Sequence, residues 1–158
     1  VVHGGPYPVD VDVRALAPDR GFAIVPPDNH QYFGYQVPGA GEVNGDGLAD
    51  LLAGNGADSP TVDGVRRDNS GQVFVIHGRT ATTVVDADRL PAGAGARIVG
   101  GPFLDGYHTG SSLDGGRDVT GDGRTDLVIG SALLPGDPTA DVGGLDVLTL
   151  APAAPAGP

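Results

Sequence analysis

The sequence predicts an all-β fold of short antiparallel strands. Three observations carry that prediction: an excess of turn-forming residues, apolar runs about five residues long, and an internal repeat. The 158 residues include 28 glycines and 14 prolines. Both types break element interiors and populate turns, so many short strands joined by tight turns are expected rather than helices. The glycines follow no three-residue period, which excludes collagen, and the regular apolar runs argue against disorder.

The repeat sets the frame for every element. "DVRALAPDRGFAIV" from Asp12 aligns with "DADRLPAGAGARIV" from Asp86, an interval of 74 residues that puts Leu16 on Leu90, Gly21 on Gly95 and Val25 on Val99. The opening "VVHGG" at Val1 matches "VIHGR" at Val75 in the same frame. After two residues inserted in the second copy, Gly34 falls on Gly110, Gly39 on Gly115, Asp50 on Asp126 and Gly54 on Gly130.

Each copy then reads as four strands. In the first they are "GFAIV", "YFGYQV", "ADLLAG" and "QVFVIHG"; in the second, "ARIVGG", "GYHTGSSL", "TDLVIG" and "GGLDVLTL". Apolar and β-branched runs bounded by Gly, Pro and Asp are strand signals. "NGADSPTVDGVRRDNS" is polar and rich in Gly, Pro and Ser, so a surface loop is expected there, with Asp58, Asp63 and Asp68 in solvent. "APAAPAGP" reads as a linker or frayed tail.

Four antiparallel strands recurring at this period predict β-propeller blades. Residues 1–150 are expected to form two of them, repeat 1 over about 5–79 and repeat 2 over about 80–150, with strand 1–4 left from a preceding blade and 151–158 as the tail. Closed propellers need about four to eight blades, so two would leave open edges. The opening carries no initiating Met and the last strand runs into a Pro/Ala tail, so the expectation is a C-terminal fragment of a larger propeller.

Charge narrows the partners. The formal net charge is -11, there is no lysine, and every acid except Glu42 is aspartate. Phosphate backbones and anionic lipid would repel such a chain, which argues against nucleic acid and membrane surfaces and favours a hard divalent cation. No apolar run approaches ~18 residues, so no membrane insertion is expected. The absence of cysteine removes disulfides and thiolate metal sites and is compatible with either redox compartment.

The acids are concentrated in two stretches, "GEVNGDGLADLLAG" from Gly41 and "RDVTGDGRTDLVIG" from Arg117. Calcium takes six to eight oxygens, and a loop with oxygen side chains at positions 1, 3, 5 and 9 and a carbonyl at 7 can wrap them around one point. The first candidate set is Glu42, Asn44, Asp46, the carbonyl of Leu48, and Asp50. The second is Asp118, Thr120, Asp122, the carbonyl of Arg124, and Asp126. Gly47 and Gly123 sit at the bends. An EF-hand would need a glutamate at position 12 and flanking helices, whereas Ala53 and Ile129 stand there inside apolar strands. The plainer alternative is that Asn-Gly-Asp-Gly makes a good hairpin turn with its acids facing water. Shared aspartates at positions 5 and 9 of both copies favour calcium.

"FGYQVPGAGEVNGDGLADLLAG" followed by "GQVFVIHG" resembles an FG-GAP repeat, the blade unit of integrin α-subunit propellers and of many bacterial extracellular proteins, and "TGSSLDGGRDVTGDGRTDLVIGSA" is similar. The resemblance implies a seven-bladed propeller with Ca²⁺, one ion per repeat, in the hairpin loops of its lower face. It also implies an extracellular or cell-surface scaffold that serves adhesion or ligand recognition. The partners to expect are the remaining blades of a parent protein or further copies of the chain, and a protein or carbohydrate ligand. The loops opposite the calcium hairpins, Asp58 to Asn69 among them, would form the contact surface. Similar repeats also accompany secreted hydrolases such as phospholipase D-type enzymes as non-catalytic appendages, and a small self-associating propeller is a third reading. The chain departs from the pattern where Thr109 replaces Phe, Glu42 replaces Asp, and Thr120 offers a hydroxyl in place of an amide or carboxylate.

No catalytic motif competes with this reading. His3 and His77 recur at one strand-end position, which fits a structural role in a repeat, and His30 and His108 sit in loops. "TGSSLDG" is not a Gly-x-Ser-x-Gly elbow, "GAGEVN" lacks the third glycine of a dinucleotide fingerprint, and without lysine there is no Walker motif. A non-enzymatic protein is expected.

Overall fold

Strand pairing in this chain crosses the boundary between its two sequence copies. The computed structural model describes residues 1–6, 10–26, 32–81, 83–101, 108–132 and 143–150; the tail 151–158 and His30 lie outside them. Among the described residues eleven strands follow in order: β1 (Ile24–Val25), β2 (Gly39–Gly41), β3 (Asp50–Asn55), β4 (Thr61–Val62), β5 (Val65–Arg66), β6 (Gln72–Ile76), β7 (Val85–Asp86), β8 (Gly95–Val99), β9 (Thr109–Arg117), β10 (Asp126–Ser131) and β11 (Gly144–Thr149). The fold is all-β, with two single-turn 3₁₀ segments at Val13–Ala15 and Ala87–Arg89. Asp12 and Asp86 cap those turns by accepting the N–H two residues on, at 3.0 Å in each case. The caps lie one repeat apart.

The main sheet has the order β2-β3-β6-β8 and is antiparallel throughout. Its fourth strand, β8, is the first strand of the second sequence copy, so each copy completes the sheet of the one before. The N-terminus repeats the arrangement in miniature. Val2 bridges Gly21 and the His3 N–H donates to the Arg20 carbonyl at 2.7 Å, just as His77 donates to Ala94 at 3.1 Å one repeat later. The second sheet, β11-β10-β9, shows three strands among the described residues.

Strands β3 and β6 are apolar on both faces because both faces are covered. On one side Ala53, Phe74 and Ile76 meet Phe22, Val85 and Ala87. On the other, Ala40, Leu52, Val73 and Val75 meet Leu127 and Ile129 of β10. Burying each large side chain contributes roughly 1.5–3 kcal/mol, so two stacked cores on one sheet hold the blades face to face. The close approach needs glycine at one point. Gly41 has φ 76°, and a Cβ there would fall 2.7 Å from Gly116 Cα on β9.

Three expectations need correction. "YFGYQV" is not a strand: Tyr32–Tyr35 form a turn, with Tyr32 at φ 69° and Gly34 at φ 80°, and Gln36 alone bridges Gly54 before β2 begins. The polar loop after β3 contains a hairpin, β4 with β5, closed by Asp63 at φ 51° and Gly64 at φ 77°. Positive φ at both central residues is the primed turn that Asp-Gly favours, so "VDGV" carried the signal. Finally, Asp58 is buried rather than solvated, and it accepts from the Gln72 side-chain amide and from the Ser59 N–H at 2.8 Å. The first rung of β6 thereby anchors the base of the hairpin.

Candidate metal centres

Each acidic loop closes the hairpin into a central strand, β2 to β3 in the first copy and β9 to β10 in the second. Glycines at positive φ make both bends: Gly45 (87°) and Gly47 (81°), then Gly121 (80°) and Gly123 (82°). Left-handed backbone at these points costs glycine little and turns successive N–H groups inward, where they require acceptors.

The acids supply them, and the two loops agree closely. Asp50 accepts the Val43 N–H at 2.8 Å and Asp126 accepts the Val119 N–H at 2.9 Å. Glu42 accepts from Gly45, and Asp118 from Gly121, both at 2.6 Å. Asp46 accepts from Leu48 at 2.7 Å, and Asp122 from Arg124 at 2.9 Å. Asn44 is tied twice to Asp46: its side-chain amide donates to the carboxylate and its oxygen accepts the Asp46 N–H, both at 2.9 Å. In the second loop Thr120 instead donates its backbone N–H to Asp126 at 2.9 Å.

Burial divides the acids. Asp50 and Asp126 are fully buried at the first residue of β3 and β10, whereas Glu42, Asp46, Asp118 and Asp122 are exposed. The buried pair also reach beyond the loop. The other oxygen of Asp50 accepts the Gly78 N–H at 2.7 Å, and that of Asp126 accepts the Thr149 hydroxyl. Each therefore fastens the hairpin to the strand end on its far side. Gly78 and Thr149 escaped the sequence reading because 28 and 23 residues separate them from the aspartates they serve. The Thr149 hydroxyl holds the Asp126 carboxyl below the usual carboxylate range against the opposing effect of burial, with help from the Val119 and Thr120 N–H groups. The Asn44 side-chain amide, then the Leu48 N–H, hold Asp46 low as well.

What the arrangement offers chemically is oxygen. Among the described residues no three His, Asp or Glu side chains gather on one point, because each loop's acids face its own N–H groups. An ionised carboxylate has about four lone-pair sites, so even Asp118 and Asp126, which accept three donors each, keep capacity for an ion. The donor set also extends to the Asn44 amide, the Thr120 hydroxyl and the Leu48 and Arg124 carbonyls. An all-oxygen set on a glycine-hinged hairpin is chemically fit for a hard cation.

The histidines show no such duality. His3 Nδ1 lies 3.4 Å from the Asp19 carbonyl and His77 Nδ1 lies 2.8 Å from the Gly93 carbonyl, positions one repeat apart. A carbonyl can only accept, so in both the ring nitrogen donates and the imidazole pins a turn.

At the opposite end of β3 the chain presents the β4–β5 hairpin, exposed at its tip and secured at its base, where the Arg67 guanidinium donates to the Gly100 carbonyl at 2.7 Å. Among the described residues no helix is long and apolar enough to cross a membrane.

No family model matches the chain. Over 100 residues, 63% of its length, it is 33% identical to integrin alpha-M of Mus musculus; over 106 residues, again 63%, it is 31% identical to integrin alpha-X of the same species. The matched stretches make up 8% and 7% of those curated relatives. The chain is thus similar to one stretch of integrin alpha chains, the same family whose repeat its two hairpins resemble.

Proposed function

We propose that this chain is a non-catalytic module of an extracellular β-propeller scaffold, braced by calcium in its two acidic hairpins and serving adhesion-type binding. The observation that carries the reading is that two loops 76 residues apart, from Asp50 to Asp126, share three carboxylate–amide contacts at matching positions, with oxygen-bearing side chains recurring at the same places. A simple turn needs only its glycines; it does not need carboxylates on three matching amides twice. The similarity to integrin alpha chains supports the scaffold and its location outside the cell.

Glu42, Asn44, Asp46 and Asp50, with the Leu48 carbonyl, would hold one ion; Asp118, Thr120, Asp122 and Asp126, with the Arg124 carbonyl, would hold the other. Bound calcium would neutralise carboxylates that otherwise repel across each loop. The residues themselves do the rest: Asp50 and Asp126 transmit the loop's rigidity to the strand beyond, and the sheet carries it to the β4–β5 hairpin at the other end. That hairpin is the proposed contact surface for a protein or carbohydrate ligand.

Calorimetric titration of the chain with calcium tests the reading, with the melting temperature followed in parallel. Two ions per chain and a higher melting temperature are expected. Absence of binding heat together with an unchanged melting temperature would overturn it.

A further inference from the structure

Among the described residues eight polar or charged side chains are buried, and they fall into two groups. Asp50 and Asp126 serve the acidic hairpins. The other six, Asn55, Asp58, Ser70, Gln72, Thr109 and Ser131, lie at the opposite strand ends, around the base of the β4–β5 hairpin. Four of the six meet protein partners: the Thr109 and Ser131 hydroxyls lie 3.3 Å apart, and the Gln72 side-chain amide donates to Asp58. Asn55 is different. It is 0% exposed, and among the described residues neither its amide nitrogen nor its amide oxygen has a hydrogen-bond partner. The Ser70 hydroxyl, two residues before Gln72 and 2% exposed, has none either.

The internal repeat supplies the comparison. Asn55 corresponds to Ser131 and Phe33 to Thr109, each pair 76 residues apart. In the second copy the two hydroxyls satisfy each other. In the first, the Phe33 ring packs edge-on against Phe74 at 5.6 Å and offers no hydrogen bond, so Asn55 lacks the partner that its counterpart has. Opposite Asn55 on β6 stands Gln72; opposite Ser131 on β11 stands Gly144. Alternation puts Asn55 and Gln72 on the face that carries Ala53 and Phe74 into the core, with cross-strand Cβ atoms about 5 Å apart. Gln72 holds Asp58, and the Asp58 N–H reaches back to the Asn55 carbonyl at 3.4 Å. The Asn55 amide therefore sits where the apolar core gives way to a polar strand end.

We infer that this strand end is an internal hydration site, in which a bound water completes the Asn55 amide and joins β3 to the base of the β4–β5 hairpin. Buried polar side chains without a protein partner are the groups that buried waters serve, with about three hydrogen bonds to each water. The chemistry of the amide selects the ligand. Its nitrogen only donates and its oxygen only accepts, so a cation would suit one atom and be repelled by the other. Water accepts from the nitrogen and donates to the oxygen. Its second hydrogen is then available to the Asp58 carboxylate, on the loop that carries the hairpin. The water takes the part that the direct Thr109–Ser131 pair plays in the second copy. The inference rests on neither calcium nor the propeller reading.

Magnetic cross-relaxation between water and the Asn55 side-chain NH₂, measured on the isotope-labelled chain, reads the site directly. A water peak of protein-like sign is expected, because a water held inside the fold tumbles with it, whereas surface water exchanges too fast to give one. Asn55→Leu removes the NH₂ signal and so identifies it; in that variant the water peak at the Asp58 N–H should vanish too, while the Leu52 and Val75 amides keep their shifts. Sequential assignment of the parent chain identifies the same signal if the variant does not fold. The peak should be equal with chelator and with calcium, and indifferent to sodium or potassium. An Asn55 NH₂ with cross-peaks to protein protons alone would overturn the inference. So would a signal that moves as sodium or potassium is added, since the ligand would then be an ion. Either result leaves the calcium reading of the acidic hairpins untouched.

Discussion

Asp50 holds the Val43 N–H at 2.8 Å on one carboxylate oxygen and the Gly78 N–H at 2.7 Å on the other, joining the start of a central strand to both the loop before it and the strand end beside it. The carboxylate is buried, so both donors depend on it. Asp50→Asn keeps the shape but removes the charge and turns an NH₂ toward a donor. A loss of about 1.5–3 kcal/mol is expected, the usual range for hydrogen bonds to a charged group. Urea denaturation reads it as a lower midpoint at unchanged slope. Asp126→Asn should shift the midpoint in the same direction, since Val119, Thr120 and Thr149 make the matching contacts. An unchanged midpoint for both variants would show that the clasps contribute nothing.

Asp46 and Asp122 are the exposed counterparts in the two loops, each tied mainly to a local N–H, so their replacement leaves the sheet intact. Asp46→Ala should abolish calcium binding at the first hairpin alone, and Asp122→Ala at the second alone. Calorimetry should report one ion per chain for each single variant and none for the double variant. Two ions retained in the double variant would separate these carboxylates from any metal site.

Local signals in the sequence led directly to β3, β6 and β10, because each is a dense apolar run next to glycine, and in β3 and β6 both faces are buried. The two acidic hairpin loops were equally legible as turns, since their spacing recurs in a frame fixed by many other matches. Pairing was not legible. A repeat gives the period but not the point at which the blade is cut, and only the β6–β8 ladder assigns the first strand of one copy to the sheet of the previous one. "YFGYQV" misled because aromatic β-propensity competes with Gly34, whose positive φ turns the chain. Asp58 misled because a polar neighbourhood in sequence says nothing of Gln72, fourteen residues away, which faces it in a buried site.

Leu52 is fully buried between the sheets, in one core with Leu127 and Ile129. Leu52→Ala should cost about 2–5 kcal/mol, the transfer term plus the cavity left behind. Because the residues opposite belong to β10, the loss should extend beyond β3. Native-state hydrogen exchange is expected to show faster opening at Leu127 and Ile129 as well as at the flanks of residue 52. Exchange that accelerates in β3 and β6 alone would mean that the two sheets open independently.

Two glycines distinguish backbone strain from crowding. Gly64, at φ 77° in the Asp63–Gly64 turn, has nothing within 4 Å of a built Cβ. Gly64→Ala should therefore carry only the left-handed backbone penalty, about 1–2 kcal/mol. Gly41 has nearly the same φ, 76°, but its Cβ would lie 2.7 Å from Gly116 Cα and 2.8 Å from Thr125 Cγ2. Gly41→Ala must meet the same backbone penalty and also push β2 away from β9, where the neighbour is main chain and cannot rotate aside. Its urea midpoint should fall clearly below that of Gly64→Ala, and the drop should persist with calcium present, since the crowding lies between strands. Equal midpoints for the two variants would show that β2 and β9 do not meet closely in solution.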